Sequence, residues 1–313
     1  MLACGHPPWR AGQLNQVHDC TPSYALADVN ASAAAWYHCN KTWHADFVSR
    51  RSRAEADCNN ATHQSSGAYC LPSLDTTNWP PRVSIGRVRS VALPHNQSYY
   101  LPFWDSRHHG VNHVEADGRV VATLVKLAAE VTPDESFIND FGAGVGQYGH
   151  SLLSLVPTAR YRGYDGAGNI GRWTDDFVRW IDLTDPWLSL PRAHWVMSLE
   201  VGEHIPSELE GRYLRNLHAH ACRGIILSWA SPAQGGQDHI NNHRFDYVER
   251  QMEELGYVLN MSLTSQLRNG TPVDRMHTYT WIQNNVAAFE RRDRIAPCTP
   301  RPTECHRGLP HEP

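Results

Sequence analysis

The stretch FINDFGAGVGQYGHS, residues 137–151, decides the fold class of this chain. A largely apolar run ends at Asp140, and glycines follow at positions 142, 144, 146 and 149. Glycine costs backbone entropy wherever it sits, so this density indicates a backbone that turns sharply or is closely approached by a ligand. A strand, a glycine turn and the amino terminus of a helix form the ligand-binding unit of open α/β sheets.

Segments of strand and helix character alternate along the chain on both sides of this turn. Strands are predicted at residues 135–141, 159–166, 193–200 and 223–230. Helices are predicted at residues 117–131, at 207–221 after a capping box of Ser207 and Glu210, and at 244–256 with Gly256 as the stop. Two long strands, 257–268 and 277–292, would close the domain as an antiparallel pair. The pattern predicts an open α/β sheet that is mostly parallel.

A second acid follows the glycine turn at the distance that nucleoside binding requires. Asp165 ends the next predicted strand, nineteen residues after Gly146, and a carboxylate there can hold two ribose hydroxyls. The spacing Gly144-x-Gly146-x-x-Gly149 also fits a dinucleotide, so a nicotinamide-dependent oxidoreductase stays open. Asp140 favours S-adenosylmethionine instead, because an acid at the strand end suits the methionyl ammonium and would repel a pyrophosphate.

Residues 112–291 resemble the class I S-adenosylmethionine-dependent methyltransferases. DFGAGVG resembles their first motif, YRGYDG their second, WIDLTDP their adenine-contacting segment, and VMSLEVGEHIP the fourth-strand motif of small-molecule O-methyltransferases of ubiquinone biosynthesis. The resemblance implies a Rossmann-like, seven-stranded, mostly parallel sheet with an antiparallel last strand. Asp182 would meet the adenine amino group and Leu183 would line its pocket. The full predicted cofactor-binding set is Asp140, Gly142, Gly144, Gly146, Asp165, Asp182, Leu183 and Glu200.

Methyl transfer to a hydroxyl needs a base, and two segments offer one. In the ubiquinone-type relatives an E-x-x-E-H segment is associated with a divalent cation, which implies Glu200, Glu203 and His204 as metal ligands here. The alternative places Glu200 at the cofactor and packs His204 at a helix start. His239, in the polar loop after the fifth strand, is the predicted general base, with His204 and Glu203 as further catalytic candidates. The alternative is a surface loop whose polar residues only cap the next helix.

Three regions are predicted along the chain. Residues 1–100 hold five of the eight cysteines and resemble no family, which predicts an irregular, disulfide-tied cap. Residues 101–291 form the methyltransferase domain, where 103–113 would fold over the cofactor. Residues 292–313 form a tail with prolines and cysteines.

Cysteines and glycosylation sequons favour the lumen of the secretory pathway, or secretion. The eight cysteines contain no C-x-x-C pair, and six N-x-S/T sequons begin at Asn30, Asn40, Asn60, Asn96, Asn260 and Asn269. The first ten residues lack the apolar region of a signal peptide, which taken alone favours the cytoplasm. A removed signal or anchor would reconcile the two. No run reaches the length of a membrane span.

The expected function is O-methylation of a hydroxylated small molecule or a glycan in the secretory pathway. A net charge of −4 argues against a general nucleic-acid binder. The alternatives are a cytosolic small-molecule O- or N-methyltransferase and a non-catalytic secreted protein that retains the fold.

Overall fold

A computed structural model describes the sheet domain and one helix that precedes it in sequence. The residues described are 47–56, 58, 116–132, 135–185, 188, 190–236, 238–274 and 276–298. The predictions for the rest of the cap, for residues 103–113 and for the tail beyond residue 298 concern residues outside this description.

Seven strands form a single sheet in this part of the chain. They are β1 (Ile138–Phe141), β2 (Tyr161–Asp165), β3 (Val178–Trp180), β4 (Ala193–Ser198), β5 (Ala221–Leu227), β6 (Tyr257–Leu259) and β7 (Ala287–Arg291). Their order is β3-β2-β1-β4-β5-β7-β6. The first five strands run parallel, and β7 is antiparallel to both β5 and β6. The predicted α/β sheet with a reversed last strand is confirmed.

Helices cover both faces of the sheet. One face packs against α1 (47–56), α4 (Ile170–Thr174), α5 (Glu210–His220) and α6 (Phe245–Glu254). The other packs against α2 (Gly118–Ala128), α3 (Gln147–Leu155), α7 (Met261–Asn269) and α8 (Thr280–Asn285). Each face of the sheet therefore has its own hydrophobic core. In β5, Ile225 belongs to the core on the first face and its neighbour Ile226 to the core on the other. Burial on both faces explains why the central strands are continuously apolar.

The two long closing strands of the prediction are wrong in extent. Only Tyr257–Leu259 is a strand before the chain enters α7, where Asn260 Oδ1 accepts a hydrogen bond from the Leu263 amide at 2.8 Å. Leu263 and Leu267 are buried four residues apart, which is the helical and not the strand period. Residues 277–292 likewise contain α8 before β7 begins. β3 was not predicted, because three residues are too few to show a period.

The predicted capping box is also wrong. Helix α5 begins at Glu210 after Leu209, which makes no side-chain cap, and Ser207 Oγ lies 3.5 Å from Glu208 Oε2 instead. Glu210 turns towards the loop after β5. Gly256 does end α6, with a left-handed φ of +87° that a glycine adopts without strain.

A disulfide ties the end of the described chain to the sheet. Cys222, at the start of β5, is bonded to Cys298 across a sequence separation of 76 residues. Cys58, just after α1, is also disulfide-bonded. Within the described residues, each helix is too short or too polar to cross a bilayer.

Candidate functional site

The glycine loop after β1 is built from left-handed residues. Gly142, Gly144 and Gly146 have φ values of +82°, +55° and +81°, and α3 begins directly afterwards. A Cβ on Gly142 would lie 2.2 Å from Cγ2 of Val201. The absence of side chains therefore has two causes, the turn itself and the close approach of the segment that follows β4.

Asp165 bridges this loop to the segment after β2. Its Oδ2 accepts a hydrogen bond from the Gly144 amide and its Oδ1 accepts one from the Ala167 amide, both at 2.8 Å. Burial raises the pKa of Asp165, while these backbone donors oppose the rise. The carboxylate stands at the carboxyl end of a parallel strand, beside the glycine loop, where ligands of open α/β sheets bind.

Asp140 lies beneath the loop. Its side chain is only 2% exposed, and Oδ2 accepts a hydrogen bond from the Tyr161 hydroxyl at 2.8 Å. Burial raises its pKa to about 7; the Tyr161 hydrogen bond lowers it, and the charge of Asp165 adds to the rise. The predicted partner of the methionyl ammonium is thus a buried acid whose charge depends on its surroundings near neutral pH.

Asp182 and Leu183 follow β3, and they contact different surroundings. Asp182 Oδ1 accepts hydrogen bonds from the amide and the hydroxyl of Thr184, and Oδ2 lies 3.2 Å from Nη1 of Arg50. The Leu183 side chain is buried in the core, and its carbonyl accepts a hydrogen bond from Asn216 Nδ2 at 2.7 Å. The segment after β3 is therefore held by Arg50 of one element and Asn216 of another.

Helix α1 brings residues to the site that the sequence did not reveal. Arg50 Nη2 lies 2.5 Å from Asp185 Oδ2, and the Phe47 ring packs against Trp180 with centroids 5.6 Å apart. A Cβ on Gly168 would lie 2.1 Å from the Ala54 carbonyl. The helix thus covers the carboxyl ends of β2 and β3. No local sequence signal identifies Arg50, because its partners lie 132 and 135 positions away.

Glu200 and Glu203 follow β4 and differ in their surroundings. Glu200 has a strained left-handed φ of +56°, and its Oε2 accepts a hydrogen bond from Gln234 Nε2 at 2.5 Å. Glu203 is 0% exposed, and neither of its carboxyl oxygens has a hydrogen-bond partner among the described residues. Burial, and then the charge of Glu200, raise the pKa of Glu203 to about 8.

The three predicted catalytic residues meet in one place. Ligand atoms of Glu203, His204 and His239 lie within 4.8 Å of one another, and we call these three residues the Glu203 cluster. The two imidazoles meet edge to face with centroids 5.0 Å apart. Glu200, predicted as a metal ligand with Glu203 and His204, is not part of this group. His239 takes its place.

A hydrogen-bond network anchors the loop that carries His239. Glu210 is 6% exposed and accepts hydrogen bonds from Asn241 Nδ2, His243 Nε2 and the Tyr247 hydroxyl, at 2.7, 2.8 and 2.6 Å. The amides of Ile240 and Asn241 both donate to the Glu203 carbonyl at 2.9 Å. The loop is therefore fixed to α5 and to the cluster, and it does more than cap α6.

Four features of the sheet domain agree with one fold: the strand order, the reversed β7, the glycine loop and the acid at the end of β2. The chain has the class I methyltransferase fold. No family model matches the sequence, and no curated protein matches it either. The fold assignment therefore rests on the sheet and its loops.

Solved structures with a similar fold include three methyltransferase-related proteins. Magnesium protoporphyrin IX methyltransferase (ChlM) from Synechocystis PCC 6803, with bound SAM, is 19% identical over 56% of this chain and 79% of that chain, with a TM-score of 0.38. An O-methyltransferase family protein from Burkholderia thailandensis is 11% identical over 56% and 57%, with a TM-score of 0.38. OxaC in complex with SAH and oxaline is 13% identical over 56% and 48%, with a TM-score of 0.41.

Proposed function

We propose that this protein is an S-adenosylmethionine-dependent methyltransferase that methylates an oxygen of a hydroxylated acceptor. The observation that carries the proposal is the position of Asp165, which bridges the bare glycine loop and the segment after β2 at the carboxyl edge of the sheet. A carboxylate there can accept hydrogen bonds from both ribose hydroxyls. Asp182, two residues after the neighbouring strand β3, is proposed to meet the adenine amino group.

The charges around the loop suit a cation better than a phosphate. Asp140, Asp165 and Glu200 lie at or near the carboxyl ends of adjacent strands, where a pyrophosphate would be repelled. S-adenosylmethionine, when bound, supplies a methyl group activated by a sulfonium charge. The chain's own acids are placed to attract that charge and to orient the nucleoside, which favours this cofactor over a nicotinamide dinucleotide.

The Glu203 cluster is proposed to handle the proton of the acceptor hydroxyl. As the acceptor oxygen bonds to the methyl carbon, the carbon–sulfur bond breaks, and the hydroxyl proton must leave to a group of the chain. Nδ1 of His239 is buried without a hydrogen-bond partner among the described residues, so this imidazole has a nitrogen available for the proton. We propose that His239 accepts the hydroxyl proton.

We also propose that the protein works in the lumen of the secretory pathway, where a glycan is a suitable acceptor. The Cys222–Cys298 disulfide fits an oxidising compartment. Of the two sequons in the described residues, Asn269 is exposed at the end of α7, whereas Asn260 caps the start of that helix. Mass spectrometry of the native protein tests this, since bare asparagines and free thiols would place the enzyme in the cytosol.

Two measurements test the proposed activity. Isothermal titration should detect binding of S-adenosylmethionine, and labelled methyl should transfer to fractionated glycans or metabolites. His239→Ala should slow transfer and leave cofactor affinity near that of the wild type. Binding without transfer to any acceptor pool would favour a non-catalytic protein, and affinity for NAD alone would favour an oxidoreductase.

A further inference from the structure

The hydroxyl of Tyr161 reaches the acid beneath the glycine loop from the far end of the neighbouring strand. Tyr161 is the first residue of β2 and pairs with Ile138, whereas Asp140 pairs with Gly163 two positions further along. The Tyr161 side chain therefore runs along β2 past Gly163, and its hydroxyl donates a hydrogen bond to Asp140 Oδ2 at 2.8 Å. Among the described residues, Tyr161 is the one hydrogen-bond donor to this carboxylate.

Two glycines make room for this side chain. A Cβ on Gly149 would collide with the Tyr161 ring, and a Cβ on Gly163 would lie 3.0 Å from the Tyr161 hydroxyl oxygen. Gly149 lies inside α3 and, unlike the three glycines before it, has no left-handed φ. The ring that it admits therefore explains this glycine better than the turn does. Phe177 stacks on the same ring with centroids 5.6 Å apart, so Tyr161 is built into the space between α3 and β2.

We propose that Tyr161 is a positioning residue that acts through Asp140, and that the two together make cofactor binding release a proton. The inference rests on the proposed methyltransferase function for its ligand. The proton leaves the Asp140 carboxyl group for the solvent, and the carboxylate that remains faces the methionyl ammonium. Tyr161 keeps its own proton and continues to donate to Oδ2, which fixes the carboxylate and leaves its other oxygen for the ligand.

Few titratable groups face Asp140. Tyr161 and Asp165 come from β2 and Tyr148 comes from α3, whereas its partner on β4, Met197, is apolar. Burial raises the pKa of Asp140 to about 7 against the Tyr161 hydrogen bond, so both protonation states are populated near neutral pH and a bound ammonium favours the ionised one. Burial and the charge of Asp140 raise the pKa of Tyr161 well above its ordinary value, so this hydroxyl remains a donor in both states.

Calorimetric titration with S-adenosylhomocysteine measures the released proton directly. This nucleoside retains the amino acid part of the cofactor, and the full chain is titrated at pH 7 in two buffers that differ in ionisation enthalpy. We expect the wild type to release about half a proton per bound nucleoside, because a group with a pKa of about 7 is half protonated there. Asp140→Asn should release almost none. The wild type should also release almost none with 5′-methylthioadenosine, which lacks the amino acid part.

Tyr161→Phe tests the positioning role, because it keeps the ring and its stacking and removes only the donor. Without that donor the pKa of Asp140 rises. We expect the midpoint of the pH dependence of affinity to move up by about one pH unit. At pH 7 affinity should fall by about fivefold, and the released proton should approach one per nucleoside. Tyr148→Phe is the matched control and should behave as the wild type, since its hydroxyl accepts from the Asp117 amide at 3.3 Å.

The outcomes separate this inference from the proposed function. Nucleoside binding without proton release in the wild type would overturn the inference and leave the proposed cofactor site standing. The same conclusion would follow if Tyr161→Phe and the wild type shared one midpoint. Absence of any affinity for the nucleoside would overturn both. Thermal unfolding identifies a variant that fails to fold, and the comparison of the two nucleosides on the wild type then decides.

Discussion

Arg50 joins Asp182 and Asp185 across more than 130 positions of sequence, with nitrogen–oxygen distances of 3.2 and 2.5 Å. Asp185 is 2% exposed, so Arg50→Ala would leave a buried carboxylate without its cation. Because Arg50 itself is partly exposed, we expect a loss of about 1–3 kcal/mol in unfolding free energy. Affinity for S-adenosylhomocysteine should fall by about three- to tenfold as the segment after β3 loosens.

Arg51 provides the control for that prediction on the same helix. Its nitrogen lies 3.6 Å from Asp176, and both side chains are exposed. Arg51→Ala should leave both the unfolding temperature and the cofactor titration unchanged. Equal effects of the two substitutions would mean that helix α1 acts only through general packing.

Asp165→Ala should weaken cofactor binding by about 1–3 kcal/mol, because the ribose hydroxyls and two backbone amides lose their acceptor. Calorimetric titration measures the change. Asp176→Ala, at an exposed acid that precedes β3, serves as the comparison. An Asp165→Ala protein that folds and binds the nucleoside with native affinity would contradict the proposed cofactor site.

The buried acid Asp140 predicts a pH dependence. Its folded pKa is raised to about 7, so its contribution to stability is fully present below about pH 4 and is lost as the pH rises through 7. A bound cation should favour the ionised form. Cofactor affinity should therefore rise with pH, by at most about tenfold between pH 6 and pH 8.

Asp140→Asn separates this effect from the other acids of the site. The amide oxygen can still accept the Tyr161 hydroxyl, but it cannot ionise. We expect the variant to lose the Asp140 part of the pH dependence and to bind the cofactor more weakly at pH 8. An identical pH profile in wild type and variant would assign the dependence to Glu200 or Glu203.

Glu210→Ala should release the loop that carries His239. Three donors lose their acceptor, and we expect a loss of about 2–4 kcal/mol in unfolding free energy by urea titration. Acceptor KM should rise while cofactor affinity is maintained. Glu208→Ala, two residues earlier and exposed, should change neither quantity.

Loss of the Cys222–Cys298 disulfide should destabilise the domain. Its closure of a long chain segment predicts a loss of about 2–4 kcal/mol when both cysteines become alanine. A reductant should lower the unfolding temperature of the wild type more than that of the double variant. Equal sensitivity would mean that other disulfides dominate stability.

Much of the fold could be predicted because its signals are local. The glycine turn, the buried strands around it and Gly256 each depend on backbone freedom or apolar runs within a few residues. The prediction of the closing strands is wrong because Tyr257–Leu259 and the helix after it form one continuous stretch, in which only the spacing of Leu263 and Leu267 distinguishes helix from strand.

The sequence by itself determined the α/β class, the ligand-binding turn and the acids at the strand ends, since parallel strands bring their carboxyl ends to one edge. Only the tertiary structure decided which side chains meet there. It brought His239 to Glu203 and His204. It also made Glu210 an acceptor for the loop after β5 and brought Arg50 to Asp182. These contacts join residues distant in sequence, so they depend on how separate elements pack and not on any local pattern.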